Sequence, residues 1–393
     1  MVKITLKPGK EEFVRRFHPW IFSGAIAHLE GEPLDGDLVQ VCSRRGEHLA
    51  VGHFHHGSIA VRILSFETEN PSDAAFWVRK FERAFAVRRA LGLIGDLDTS
   101  CYRLAHGEGD GLSGLVVDVY GDVAVLQCHS IGMHRQRDVL AAALKSVLGK
   151  HIAVFDKSAE ALPPKYAQSI QNQFIGTPGP STVEVSENGV RFKVDIASGQ
   201  KTGFFLDQRD NRLLLTKFVR GKSVLNTFCY TGGFSAYALA AGAREVCSVD
   251  VSQRAMDLTA ENVALNAPFD GSHEVQCTDV QQFLKNDDRL WDVLVVDPPA
   301  FAKSLDKRHN AVQGYKRLNE AAIRRTAPGG VVFTFSCSQV VDRQLFYDTI
   351  VAAAMEAGRQ VRVLHHLTQG GDHPVNIFHP EGAYLKGLVL FVE

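Results

Sequence analysis

Five short segments in the second half of the chain carry residue types that could do chemistry together. Asn226-Thr227-Phe228-Cys229-Tyr230-Thr231-Gly232-Gly233-Phe234-Ser235 follows the strand-like Ser223–Asn226, and its two glycines let the backbone pass close under a ligand before a helix begins. Asp250 ends a second strand-like run, 18 residues after Gly232. A carboxylate there can accept both hydroxyls of a ribose. Asp279-Val280 follows a third run and Asp297-Pro298-Pro299-Ala300-Phe301 a fourth. The two prolines fix φ and remove two amide donors, so this loop is stiff and offers free carbonyls, while Phe301 can stack on a flat ring. Ser336-Cys337-Ser338 ends a fifth run. Together these describe a site for S-adenosylmethionine with a planar substrate beside it.

Seven cysteines stand at 42, 101, 128, 229, 247, 277 and 337. A single cysteine is most often a small buried hydrophobe. Cys337 differs by position: it alone sits at a strand end facing the Asp297 loop, and Cys229 lies in the Gly232-Gly233 loop. C5 of a pyrimidine is too electron-poor to take a methyl group directly. A thiolate adding to C6 makes C5 a nucleophile, and that chemistry needs one cysteine near the methyl donor. The positive charge nearby is expected to favour the thiolate.

These strand ends need a sheet to gather them. From about residue 205 strands alternate with helices: 223–226, 245–250, 275–278, 293–296 and 330–335 read as strands, and 234–241, 253–266, 312–326 and 342–357 as helices. That alternation predicts a doubly wound parallel sheet with ligands beyond its carboxyl ends. The fold class is α/β, with a Rossmann-like domain at the C-terminus over 183–393. It opens with a hairpin around Asn188-Gly189, a type I′ pair. Residues 1–70 read as short strands between turns, a small β-barrel. Its exposed candidates are Arg15, Arg16, His18, Trp20, Arg44 and Arg45. Residues 71–182 form an α+β middle domain: a helix over 74–91 capped by Ser72 or Asp73, with Phe76, Trp77, Phe81 and Phe85 as core, a hairpin across Gly121-Asp122, a helix near 134–148 and a strand at 152–156. Thr177-Pro178-Gly179-Pro180 marks its end.

Composition is globular, with 45% apolar and 22% charged residues. No apolar run approaches a membrane span and no signal peptide is read, so a reduced cytoplasmic location is expected. No two cysteines have CxxC spacing, and no metal site is expected. Net charge is −1, yet residues 303–325 carry +5, leaving −6 elsewhere. Lys303, Lys307, Arg308, Lys316 and Arg317 in that run are candidates for RNA phosphates, the alternative being a solvated helix face.

The motifs Gly199–Arg209, Asn226–Ser235, Asp297–Phe301 and Ser336-Cys337-Ser338 resemble the large-subunit ribosomal RNA 5-methylcytidine methyltransferase family, class I type. His18–Ala25 resembles that family's N-terminal PUA domain, His106–Leu115 its middle domain, and Asp372-His373-Pro374 with Pro380–Gly387 its C-terminus. The resemblance covers essentially the whole chain. It implies an S-adenosylmethionine-dependent enzyme forming 5-methylcytidine in 23S ribosomal RNA, with Cys337 as nucleophile. It implies that Asp250 binds the ribose and Asp279 the adenine amine, and that the 226–233 loop (Asn226, Phe228, Thr231, Gly232, Gly233) binds the methionine end. Gln200, Phe204, Val251, Val280 and Asp297 lie near the cofactor on this reading. RNA would meet Arg15, Arg16, His18, Trp20, Phe301 and the basic run. Ala300 stands where several 5-methylcytidine enzymes carry a second cysteine. Product release then needs another base: Asp297 first, Asp372 and Glu381 behind it.

Three other readings compete. An N-methyltransferase could use the Asp297-Pro298-Pro299 loop to accept the protons of an exocyclic amine, leaving Cys337 idle. An inactive RNA-binding scaffold would not need the acid, the glycines and the cysteine intact. A nicotinamide oxidoreductase lacks its glycine fingerprint here. The oligomeric state is open, a homodimer included.

Overall fold

The computed structural model describes residues 1–302 and 304–393, so Lys303 lies outside the described residues. The chain forms two compact units: Met1–Val185 with Val194–Leu206 and Gly371–Gly382, and Ser186–Lys193 with Asp207–Gly370 and Ala383–Glu393.

The first unit holds two sheets. Six strands lie in the order Trp20–Phe22, Ile59–Ser65, His48–Phe54, Leu38–Cys42, Val2–Leu6 and Ile26–Leu29. Ile4, Leu6, Val39, Val41, Val61 and Ile63 alternate inward as their core. Five strands follow in the order Gln173–Phe174, Ala153–Asp156, Val123–Cys128, Leu115–Tyr120 and Cys101–His106. The helix Ala74–Ala90 buries Phe76, Trp77 and Phe81 against them, and Asp73 caps it by accepting the Ala75 N–H.

Residues Gly371–Gly382 are late in the sequence but belong to this first unit. Arg88, fully buried, explains it: its guanidinium pairs with Asp110 and donates to the Asp372 carbonyl (2.6 Å). A buried cation needs such acceptors around it. The Asp372 carboxylate in turn accepts the Arg103 N–H (2.9 Å) and bonds His373 (3.0 Å). Those bonds correct the reading of Asp372 as a spare base: it is a structural acceptor. Glu381 is exposed beside His379.

The second unit is built on a seven-stranded sheet. In chain order its strands are Ser223–Thr227, Glu245–Asp250, Ser272–Cys277, Trp291–Val296, Thr326–Ser336, Val361–Leu367 and Lys386–Val392. In space they run third, second, first, fourth, fifth, seventh, sixth. The first five are parallel, and the seventh is antiparallel to both the fifth and the sixth. The all-parallel expectation is corrected at this edge, because a closing pair of strands returns on the fifth. Val224, Leu225, Val293, Leu294, Val295 and Val296 are buried under helices on both faces, as near-continuous apolar strands require. The helix expected from 312 begins earlier, as Arg308–Arg324, and the fifth strand takes Thr326. No helix among the described residues is long and apolar enough to cross a membrane.

Candidate active site

The strand order reverses between the first and fourth strands, and the loops after them form the switch point of the sheet. The loop after the first strand is strained. Phe228 (φ 54°) and Tyr230 (φ 48°) take left-handed conformations that non-glycine residues rarely adopt. Asp250 holds this loop: one carboxylate oxygen accepts the Tyr230 N–H (3.1 Å) and the other the Ser252 N–H (3.0 Å). Gly232 has φ 76°, and a Cβ there would stand 2.6 Å from Thr259 Cγ2. The structure thus shows a close approach of this glycine to the helix Gln253–Leu265. Gly233 opens the helix Gly233–Ala240.

Asn226 is buried and donates to Ser235 Oγ (2.8 Å). Its own carbonyl oxygen and the Thr231 hydroxyl are buried without a hydrogen-bond partner. An unmet buried acceptor costs about 1–3 kcal/mol, so the loop is suited to a ligand donor such as an ammonium. Asp279 is exposed and caps the helix Val280–Asn286 by accepting the Gln282 N–H (3.0 Å). Val251 is exposed, whereas the Val280 side chain is core packing, which leaves its backbone to meet a ligand. Gln200 and Phe204 belong to the first unit, where Phe204 is buried and its backbone bonds the Tyr120 hydroxyl.

At the end of the fifth strand Cys337 is half-buried. Lys386 opens the seventh strand opposite Ser336 and donates to the carbonyls of Ser338 and Val341, both at 2.7 Å. Tyr315 bonds the Ser338 hydroxyl (3.0 Å). The Asp297 carboxylate accepts from Gln208 Nε2 (2.9 Å), and Asn211 donates to the far end of that amide (2.6 Å). Enclosure by protein, then the Asp207 charge, lift the Asp297 carboxyl to about 7. Burial, then the charges of Asp297 and Asp207, push the Cys337 thiol to about 11, against a smaller lowering by Lys386. This corrects the expectation that the basic run favours the thiolate: the charges that reach Cys337 are two carboxylates and one lysine. Asp207, whose carboxylate accepts from Tyr384 (2.6 Å), and Lys386 stood in the quoted motifs without a role; only the strand pairing reveals one.

The RNA candidates divide. Lys307, Arg308, Arg317 and Arg16 are exposed and have no ion-pair partner among the described residues. Lys316 pairs with Glu356 (2.8 Å) and Arg15 with Glu47 (2.6 Å). The Phe301 ring packs on Tyr315 (centroids 4.6 Å) and over Gly314 and is half-buried. Trp20 is likewise engaged: its indole N–H donates to Glu108 (2.8 Å), Arg62 lies over its ring and His379 meets it edge-on. His18 bonds the Trp20 backbone and is half-buried.

Residues 140–379 match the family model of the S-adenosylmethionine-dependent methyltransferases, and residues 4–66 match that of the PUA-like domain. The chain belongs to the S-adenosylmethionine-dependent methyltransferases. This methyltransferase is 41% identical over 394 residues to "Ribosomal RNA large subunit methyltransferase I" of Aeromonas hydrophila, covering 98% of each chain. It is 38% identical to the protein of the same name from Shewanella denitrificans, covering 99% of this chain and 98% of that one. A solved chain from Streptococcus mutans, assigned as a SAM-dependent methyltransferase, superposes with a TM-score of 0.84 over all of both chains at 22% identity, which speaks to fold alone. The cofactor of the methyltransferase is S-adenosylmethionine, and the unmet Asn226 and Thr231 oxygens are consistent with an amino-acid end held in the first loop.

Proposed function

We propose that this methyltransferase acts on large-subunit ribosomal RNA and forms 5-methylcytidine through Cys337. The substrate class rests on the printed name of its relatives, which match over nearly the whole chain. The observation that carries the chemistry is the neighbourhood of Cys337 and Asp297, a nucleophile beside a carboxyl that still holds a proton near neutral pH. Bound S-adenosylmethionine supplies an electrophilic methyl group.

Cys337 passes its proton to the ionised Asp297 carboxylate and its sulfur bonds C6 of the cytosine. Electron density pushed into the ring is met by Asp297, which in its protonated form can donate to a ring atom. C5, now nucleophilic, takes the methyl group; its proton leaves to a base, and the sulfur–C6 bond breaks to restore the cysteine. Asp297 in its ionised form is the candidate for that base, and the Gln208 amide holds it in place. On this reading Asp250 and Asp279 bind ribose and adenine, the 226–233 loop binds the methionine end, the 1–70 section binds RNA, 71–182 is a middle domain, and 183–393 carries the methyltransferase site.

One observation favours a second reading. A thiol lifted to about 11 is a poor nucleophile until something lowers it, and methylation of an exocyclic amine by the Asp297-Pro298-Pro299 loop would not need it. RNA transcribed with 5-fluorocytidine separates the two. Fluorine at C5 cannot leave as a proton, so the adduct persists as a protein–RNA band on a denaturing gel, present in the natural chain and absent in Cys337→Ala. A methylated exocyclic amine with no adduct would hand the chemistry to the second reading.

A further inference from the structure

Lys386 also lines a cavity of about 200 Å³ at the end of the fifth strand, together with Arg343 and Tyr347 of the helix Arg343–Ala357 and His366 of the sixth strand. Buried Phe346 and Leu388 form its floor. The Tyr347 and His366 rings line it as a stacked pair, 16° between planes with centroids 6.3 Å apart.

Arg343 is exposed at the rim and has no ion-pair partner among the described residues. Lys386 is buried: its ammonium bonds two carbonyls, and the Asp342 charge reaches it. Asp348, one turn on, accepts from the Gln344 amide (2.9 Å). An exposed guanidinium beside two aromatic rings suits a ligand with a phosphate and a planar ring, which is a nucleotide. Its place follows from Lys386, which lines the cavity and whose ammonium grips the turn that carries Cys337.

We infer that this cavity is the subsite for a nucleotide flanking the target base, its ring against Tyr347 and His366 and its phosphate on Arg343. The inference rests on the RNA substrate proposed above. It adds an RNA contact, a sequence-tolerant one, on a helix that the sequence reading used only as a structural element.

Equilibrium binding of a large-subunit ribosomal RNA fragment to the full chain tests it, across a salt series and without turnover. Tyr347→Ala should weaken binding at least about fivefold, the lower end for loss of one stacked base, and Tyr347→Phe should restore it. Arg343→Ala should shallow the slope of log affinity against log salt by about 0.7, one phosphate contact on a single strand. S-adenosylmethionine affinity by calorimetry should stay unchanged in all three. Both positions are exposed, so folding is spared. Natural affinity and natural slope in both alanine variants overturn the subsite. The cytosine-C5 reading is judged separately, by where the methyl group lands: reduced RNA affinity with a methylated amine leaves the subsite standing, and unchanged affinity with methylated C5 removes the subsite alone.

Discussion

Lys386 donates its ammonium to the carbonyl of Ser338, the residue that follows Cys337, at 2.7 Å. With the matching bond to Val341, the last strand of the sheet fixes the turn that carries Cys337, the proposed nucleophile. Burial draws the lysine down to about 8, so it remains mostly charged at neutral pH. Lys386→Met removes the one cation that favours the Cys337 thiolate and leaves two carbonyls without their donor. The midpoint of iodoacetamide alkylation at Cys337 should move to higher pH, and stability in urea should fall by roughly 2–5 kcal/mol. An unmoved alkylation midpoint would show that the lysine acts on the turn alone.

Asp297 gives a pH dependence with a definite sign. Its carboxyl titrates at about 7 in the fold, against about 3.9 in an unfolded chain. Between those values the folded chain binds the extra proton, so this group takes stability away as pH rises from about 4 to 7 and the loss is complete above. Asn cannot ionise and still accepts from Gln208. Asp297→Asn should therefore gain thermal stability relative to the natural chain as pH rises from 5 to about 7, then hold the gain. It also deletes a negative charge that raises Cys337, so the thiol midpoint should drop below about 11. A difference in melting temperature that is flat with pH would sink the assignment.

The Asp250 carboxylate carries two tasks, the Tyr230 N–H of the strained loop and the proposed ribose. Asp250→Ala should weaken S-adenosylmethionine at least about tenfold in calorimetry, since bonds to a charged acceptor contribute about 1.5–3 kcal/mol each. Asp250→Asn keeps an acceptor for Tyr230 and should lie between the two. Equal affinity in all three removes Asp250 from the cofactor site.

Local patterns in the sequence carried much of this architecture. Asn188 and Gly189 both take positive φ, 49° and 79°, as a type I′ pair must, and Asp73 caps its helix as read. The strand–helix alternation also set out the ends of the first five strands, because each element is signalled within a dozen residues. What stayed hidden depends on partners far apart in the chain. Arg88 draws Asp372 into the first unit, Glu356 takes Lys316, and Tyr315 takes the Phe301 ring. The electrostatics of Cys337 stay hidden for the same reason: the basic run is near Asp297 in sequence, but the thiol responds to burial, then to Asp297, Asp207 and Lys386. Asp207 and Lys386 are 130 and 49 residues from Cys337 in the chain.

The basic run offers a contrast within a few turns of one helix. Lys307 and Arg308 are exposed at its start without an ion-pair partner among the described residues, whereas Lys316 is held by Glu356. Only a cation free to meet phosphate releases counterions from RNA. Replacing Lys307 and Arg308 together with alanine should shallow the slope of log affinity against log salt by up to about 1.4–1.8, at 0.7–0.9 per contact. Lys316→Ala should shallow the slope by less than one full contact, because its cation faces Glu356 and must leave that weak pair to meet phosphate. The measurement is a salt titration of ribosomal RNA binding, with S-adenosylmethionine affinity as the folding control. A slope lost equally in both variants would mean that the Glu356 pair opens on RNA. A slope lost in neither makes this helix a solvated face and moves the search for RNA contacts to Arg16 and the first unit.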